Sequence, residues 1–175
     1  MLNLTHDPLH SQIEFKIKHL MISHVRGCFE KFDARILTKG SSFSGARLSC
    51  RIDVDSINTN IKDRDTHLKS ADFFDAERYP QMIFTSEKTE QTGKDLYKIS
   101  GHLTIKDVRK PIELQARYNG YDVDQYGQTK YGFEITGELN RKDWDLNFNV
   151  PGGQSTLLIG DKVKIEADMQ MMIKK

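Results

Sequence analysis

The stretch SQIEFKIKHL, residues 11–20, alternates apolar and polar side chains through Lys18. Ile13, Phe15 and Ile17 fall on one side of an extended chain, and Gln12, Glu14, Lys16 and Lys18 on the other. Period-two alternation of this kind marks a strand with one face buried and the other in water. The pattern recurs along the chain. VRGCFEKFDARIL (25–37) begins on one face with Val25, Gly27 and Phe29 and continues on the other with Phe32, Ala34 and Ile36. That slip of phase predicts a β-bulge or a strong bend near Glu30 and Lys31. ARLSCRIDV (46–54) puts Ala46, Leu48, Cys50, Ile52 and Val54 on one face. Further strands are predicted in QMIFTSEKTEQ (81–91), DLYKISGHLTIK (95–106), PIELQARYNGYDV (111–123), KYGFEITGELNR (130–141) and DKVKIEADMQMMIK (161–174). Turn signals separate them: TKGSSFSG (38–45), Thr92–Lys94, Asp107–Pro111, Asp124–Gly127 and VPGGQ (150–154).

About eight strands with one apolar face each define an all-β chain. Parallel architecture would require a helix between successive strands, and the pattern offers none of ten residues or more outside 58–75. A sandwich and a closed barrel remain; long strands with mostly short connections favour an eight-stranded antiparallel up-and-down barrel. Such a barrel either fills its interior with side chains or holds one small ligand. No linker or repeat divides residues 1–175, which read as a single domain.

One passage interrupts the strands. RDTHLKSADFFDAERYP (64–80) holds a helical turn, two adjacent phenylalanines and a proline. A helix near 63–70 would place Arg64, His67, Leu68 and Ala71 on one face, with Asp63 as N-cap and Asp65 opposite Lys69 as an i, i+4 pair. Pro80 stops the helix from resuming. A segment of this size can plug a barrel mouth with Leu68, Phe73 and Phe74, and it can also line a ligand site.

Composition narrows the functional classes. With 26 basic and 25 acidic residues the formal charge is +1, so the whole chain makes no electrostatic case for nucleic acid or an anionic membrane. No run approaches the roughly 18–20 apolar residues that span a bilayer. MLNLTHDPLHSQ has neither a basic start nor an apolar core, so a cytoplasmic location is expected. The two cysteines, Cys28 and Cys50, fall on successive strands and could face each other; reduced, partly buried thiols are the default, and a disulfide or redox pair the alternative.

The chemistry-bearing motifs are sparse. No G-x-S-x-G elbow is present, and the neighbours His10 and Ser11 point to opposite faces of a strand. The histidines lack metal-ligand spacing, no C-x-x-C occurs, and VPGGQ lacks the length and lysine of a P-loop. No catalytic residue and no metal or other cofactor is therefore expected. Trp144, the single tryptophan, reads as a core or rim anchor, or as an aromatic wall beside a ligand. What remains is an apolar interior: Phe15, Ile17, Phe84, Leu103, Ile105, Phe133 and Ile135 all belong to inward sets, with Met169 and Met171 near the end. A concave apolar cavity with a few polar groups at its mouth suits a lipid-like ligand.

Four stretches resemble, in order, the successive signatures of the YceI-like family: DPLHSQIEFKIKHLMISHVRGCFEKFD (7–33), RDTHLKSADFFDAERYPQMIFTS (64–86), SGHLTIKDVRKPIEL (100–114) and LLIGDKVKIEADM (157–169). His10, Ser11, Phe15 and His19 carry the first; Arg64, His67, Leu68, Phe73 and Phe74 the second; Leu103, Ile105 and Pro111 the third. NRKDWDL (140–146) is similar to the family's segment before the last strand, but Asp145 stands where a glycine is common. The resemblance implies a lipocalin-like barrel, a bound polyisoprenoid or similar amphiphile, a binding or transport role without catalysis, and a homodimer. The expected ligand-lining set is Phe15, Ile17, His19, Arg64, His67, Leu68, Phe73, Phe74, Phe84, Leu103, Ile105, Phe133, Ile135 and Trp144. Arg64 and His67 would meet a polar or phosphorylated head group, with His67 making that contact pH-dependent. The competing readings are a fully packed interaction barrel that dimerises without ligand, and an enzyme linked to a bound isoprenoid.

Overall fold

A computed structural model describes residues 1–40, 42–150 and 159–174; of the VPGGQ turn only Val150 falls within them. The strands are β1 (Leu2–His6), β2 (Gln12–His19), β3 (Ser23–Phe29), β4 (Phe32–Thr38), β5 (Arg47–Asp53), β6 (Ile57–Asn58), β7 (Gln81–Gly93), β8 (Leu96–Ile105), β9 (Val108–Val123), β10 (Thr129–Asn140) and β11 (Ile159–Ile173). One α-helix, α1 (Lys62–Lys69), lies between β6 and β7, and single 3₁₀ turns occupy Val54–Ser56 and Arg141–Trp144.

Every pairing is antiparallel, and the sheet closes on itself. β1 and β2 form one long stave, interrupted at Asp7–Ser11; β3 and β4 form the next, interrupted at Glu30–Lys31 as the slip of phase requires. There Glu30 N–H donates to Ser56 O, and Lys31 O accepts from Asp53 N–H. β5 with β6 makes the third stave, and β7 to β11 follow as hairpins. β11 then pairs with β10 on one side and with β2 and β1 on the other. The result is an eight-staved antiparallel barrel carrying one helix.

Four details differ from the sequence reading. Pro111 lies inside β9, opposite His102, and not in the turn, which is confined to Lys106 and Asp107. It is tolerated because the β9–β10 ladder begins only at Leu114, so the missing N–H would have had no partner there. Helix α1 starts at Lys62 with Ile61 as N-cap, and Asp63 makes no capping bond. Asp65, one turn in, instead accepts from Thr59 N–H at 2.9 Å and Thr59 Oγ1 at 2.5 Å. The Asp65–Lys69 pair does not form; Lys69 Nζ instead lies 3.5 Å from Asp55. Ala71 is exposed and does not extend the inward face.

Inward and outward residues follow the alternation. Leu4, Ile36, Ile52, Met82, Ile99, Phe133 and Met171 are buried against one another on the inner face. Gly27 leaves room where Phe15 lies across the wall: a Cβ there would meet the Phe15 ring at 2.5 Å. The cysteines do not face each other. Cys28 sits opposite Glu14 on the outer face, whereas Cys50 points inward with Ile52 and Leu48, and both are free thiols.

Candidate functional site

The barrel is hollow. Its axis holds a cavity of about 690 Å³, lined almost entirely by apolar side chains. The volume falls within the ~300–1,000 Å³ typical of small-molecule sites. Phe15 and Ile17 from β2, Phe84 from β7, Leu103 and Ile105 from β8, and Phe133 and Ile135 from β10 all line it. They come from strands far apart in sequence, and alternation alone aims them at one space. Trp144 corrects the expectation. It is 2% exposed but does not line the cavity. Its indole N–H donates to Leu103 O at 2.8 Å, which anchors the 3₁₀ turn to the rim of β8.

One end of the cavity is stoppered by aromatics. Phe43, in the β4–β5 connection, folds back into the barrel and is buried. Its ring centroid lies 4.8 Å from Phe133, 5.0 Å from Tyr118, and 6.3 Å from both Tyr97 and Tyr131. These tilted and edge-on contacts suit the ring quadrupoles. The only sequence cue to this plug was one aromatic inside an otherwise turn-like TKGSSFSG.

The opposite end carries the polar groups. Helix α1 crosses it, and Arg64, His67 and Leu68 line the cavity together with His19 at the end of β2. Arg64 is held in place by Thr59: Nε donates to Oγ1 and Nη2 to the carbonyl, each at 2.7 Å. No carboxylate lies within ion-pairing distance of Arg64 among the described residues, so its remaining N–H donors are unspent. His67 Nε2 lies 2.8 Å from Asp72 Oδ2, and its ring meets Phe73 and Phe148 edge-on at 5.2 and 4.6 Å. Phe73 and Phe74 both line the cavity, and both also pack as a seal. Phe74 meets Phe29 edge-on at 6.1 Å, while Phe73 lies against Phe148 at 5.1 Å.

A second cation at this end was not anticipated. Arg141 is 2% exposed and lines the cavity. Its guanidinium donates to four carbonyls: Leu146 at 2.5 Å, Gly160 and Phe148 at 2.9 Å, and Ile159 at 3.5 Å. Burial pushes its pKa down, countered by Asp161 at 4.0 Å. Arg141 therefore clamps the segment before β11 onto the start of that strand. In sequence, nothing in NRKDWDL (140–146) sets Arg141 apart from its charged neighbours. The Cys50 thiol, by contrast, faces apolar wall, and burial pushes its pKa up to about 12. It is a thiol and not a nucleophilic thiolate. No group of three or more metal-ligating side chains forms among the described residues, and no helix there is long and apolar enough to cross a membrane.

A YceI-like domain model matches residues 4–171. A UPF0312 protein of Staphylococcus aureus (strain MSSA476) is 34% identical over 174 residues, which is 99% of each chain. The crystal structure of the Campylobacter jejuni YCEI protein superposes with a TM-score of 0.77 at 35% identity, covering 91% of each chain. A polyisoprenoid binding domain from Saccharophagus degradans shares the fold, with a TM-score of 0.73 at 16% identity over 99% of this chain and 100% of that one. The matched span takes in the first stave, the helix across the mouth and the closing strand alike, and the chain belongs to the YceI-like family.

Proposed function

We propose that this barrel binds one long-chain amphiphile, a polyisoprenoid, an isoprenoid quinone or a fatty-acyl compound, for carriage, storage or sensing. The observation that carries the reading is the cavity of about 690 Å³ with an apolar wall, an aromatic stopper at one end and anchored cations at the other. An extended chain lies along the axis with its tail toward Phe43. Each buried CH₂ contributes about 0.8 kcal/mol, so a chain of modest length binds without charge pairing. The head group meets Arg64, whose donors are aimed by Thr59, and His67, whose ring is fixed by Asp72. A fully packed interaction barrel would have no such void. The inert Cys50 thiol and the carbonyl-saturated Arg141 support binding over catalysis. The likeness to a polyisoprenoid binding domain supports the same ligand class.

Native mass spectrometry of the purified protein tests the proposal. A long-chain compound should co-purify, or should bind on titration with a polyisoprenol, an isoprenoid quinone or a long-chain fatty acid. Arg64→Ala should weaken an anionic or phosphorylated ligand by roughly tenfold, the scale of one charge-assisted hydrogen bond, while sparing a neutral one. Absence of binding by all three classes would remove the proposal.

A further inference from the structure

The β2–β3 connection is unusual for a hairpin. Leu20 and Met21 have φ of 51° and 60°, and Ile22 N–H donates to His19 O at 3.2 Å. These are the central positions of a type I′ turn, where Asn-Gly is favoured because both residues must be left-handed. Two large apolar residues hold them here, against the steric preference of a Cβ. Burial compensates little: Leu20 is only half-buried, Met21 is 51% exposed, and Ile22 beside them is 85% exposed. The tip combines backbone strain with apolar exposure, and folding accounts for neither.

Behind the tip the outer wall is cationic. Lys18 sits opposite His24, Lys16 opposite Arg26, and Lys164 of β11 opposite Lys16. Lys16, Lys18, Arg26 and Lys164 form no ion pair among the described residues. Glu138 lies across from Lys164 but is engaged by Lys162 at 3.5 Å, and Glu14 and Glu166 face each other further from the tip. A local positive field thus stands beside the apolar tip, although the whole chain carries a formal charge of only +1. His19, at the base of the turn, lines the cavity, which puts the tip at the same end of the barrel as Arg64 and His67.

We propose that the β2–β3 tip docks this barrel on an anionic lipid bilayer, with Met21 and Ile22 in the interface and Lys16, Lys18, Arg26 and Lys164 against the head groups. A bilayer fits better than a protein partner. A stable protein interface needs about 800 Å² from each side, whereas a few apolar side chains beside cations suffice for interfacial insertion. Docking presents the polar end of the cavity to the membrane but is separable from what the cavity holds.

Flotation of the full chain with vesicles tests this, using equal parts phosphatidylglycerol and phosphatidylcholine against phosphatidylcholine alone. The wild type should float with the anionic vesicles at low salt and be released at high salt. Lys16→Gln with Lys18→Gln should weaken binding by roughly fivefold per cation removed. Leu20→Asn/Met21→Gly/Ile22→Ser installs the favoured turn pair, so it should raise the unfolding midpoint while binding falls at least about tenfold; a misfolded variant cannot give opposite signs. Wild type that stays with neither vesicle, or a triple variant that binds as well as wild type, overturns the proposal. So does a wild-type dimer that the triple variant converts to monomer without any vesicle binding, which would assign the tip to a second copy. Native mass spectrometry of the triple variant reads cavity occupancy independently.

Discussion

At the scale of single residues, a buried carboxylate in the break between β1 and β2 ties the barrel together. Burial alone would raise the pKa of Asp7, but Lys130 Nζ at 2.8 Å, Leu9 N–H at 3.0 Å and His10 Nδ1 at 3.2 Å outweigh it, and the pKa falls from 3.8 to about 2. The carboxylate thus ties the first stave to β10 across the seam where the barrel closes. A depressed folded-state pKa stabilises above the unfolded value, and that stability is lost as pH falls from 3.8 through about 2. The shift corresponds to about 2 kcal/mol. Asp7→Asn should therefore lower unfolding free energy by about 2 kcal/mol at neutral pH, and the difference from wild type should close as pH falls toward 2. Urea titrations across acid pH measure this directly; a difference independent of pH would show that Asp7 acts by packing alone.

At the scale of elements, the 3₁₀ turn before β11 shows what sequence can and cannot carry. Asp145 has φ 56° and ψ 28°, left-handed backbone in which a Cβ is strained. A glycine would adopt that conformation without strain, so the aspartate here costs stability. Asp145→Gly should raise stability by about 1 kcal/mol, read as a higher thermal midpoint; an unchanged or lower midpoint would mean that the aspartate side chain offsets its own strain. The neighbouring Trp144 and Arg141 were harder to place from sequence, because their partners are remote: Leu103 O for the indole, and the carbonyls of Leu146, Phe148, Ile159 and Gly160 for the guanidinium. The strands were legible because a half-buried strand writes its burial into every second residue. Helix α1 was legible in position but not in its bonds, since Asp65 turned to Thr59, which precedes the helix. Phe43 was opaque, because a loop residue gives no periodicity and its contacts lie on β8, β9 and β10.

At the scale of the whole molecule, the barrel forgoes part of the burial that a packed domain of this length would have, and keeps its shape through a closed ladder and two aromatic ends. A hollow interior of this kind couples ligand to fold. A ligand at a hundred times its dissociation constant adds about 2.7 kcal/mol to stability. Ala167 is the position at which to separate cavity from wall. It lines the cavity midway along β11, between Ile13 and Ile135 on the flanking strands. Ala167→Trp points an indole toward the void. The free variant should unfold at or above the wild-type midpoint, because new apolar contacts replace empty space. The rise in midpoint that a bound long-chain ligand gives the wild type should vanish. Thermal unfolding of both proteins, with and without a long-chain fatty acid or a polyisoprenol, checks this. A variant that loses stability by several kcal/mol would show that the space is already filled by its own wall, and a variant that keeps the full ligand-induced rise would place the ligand outside the barrel.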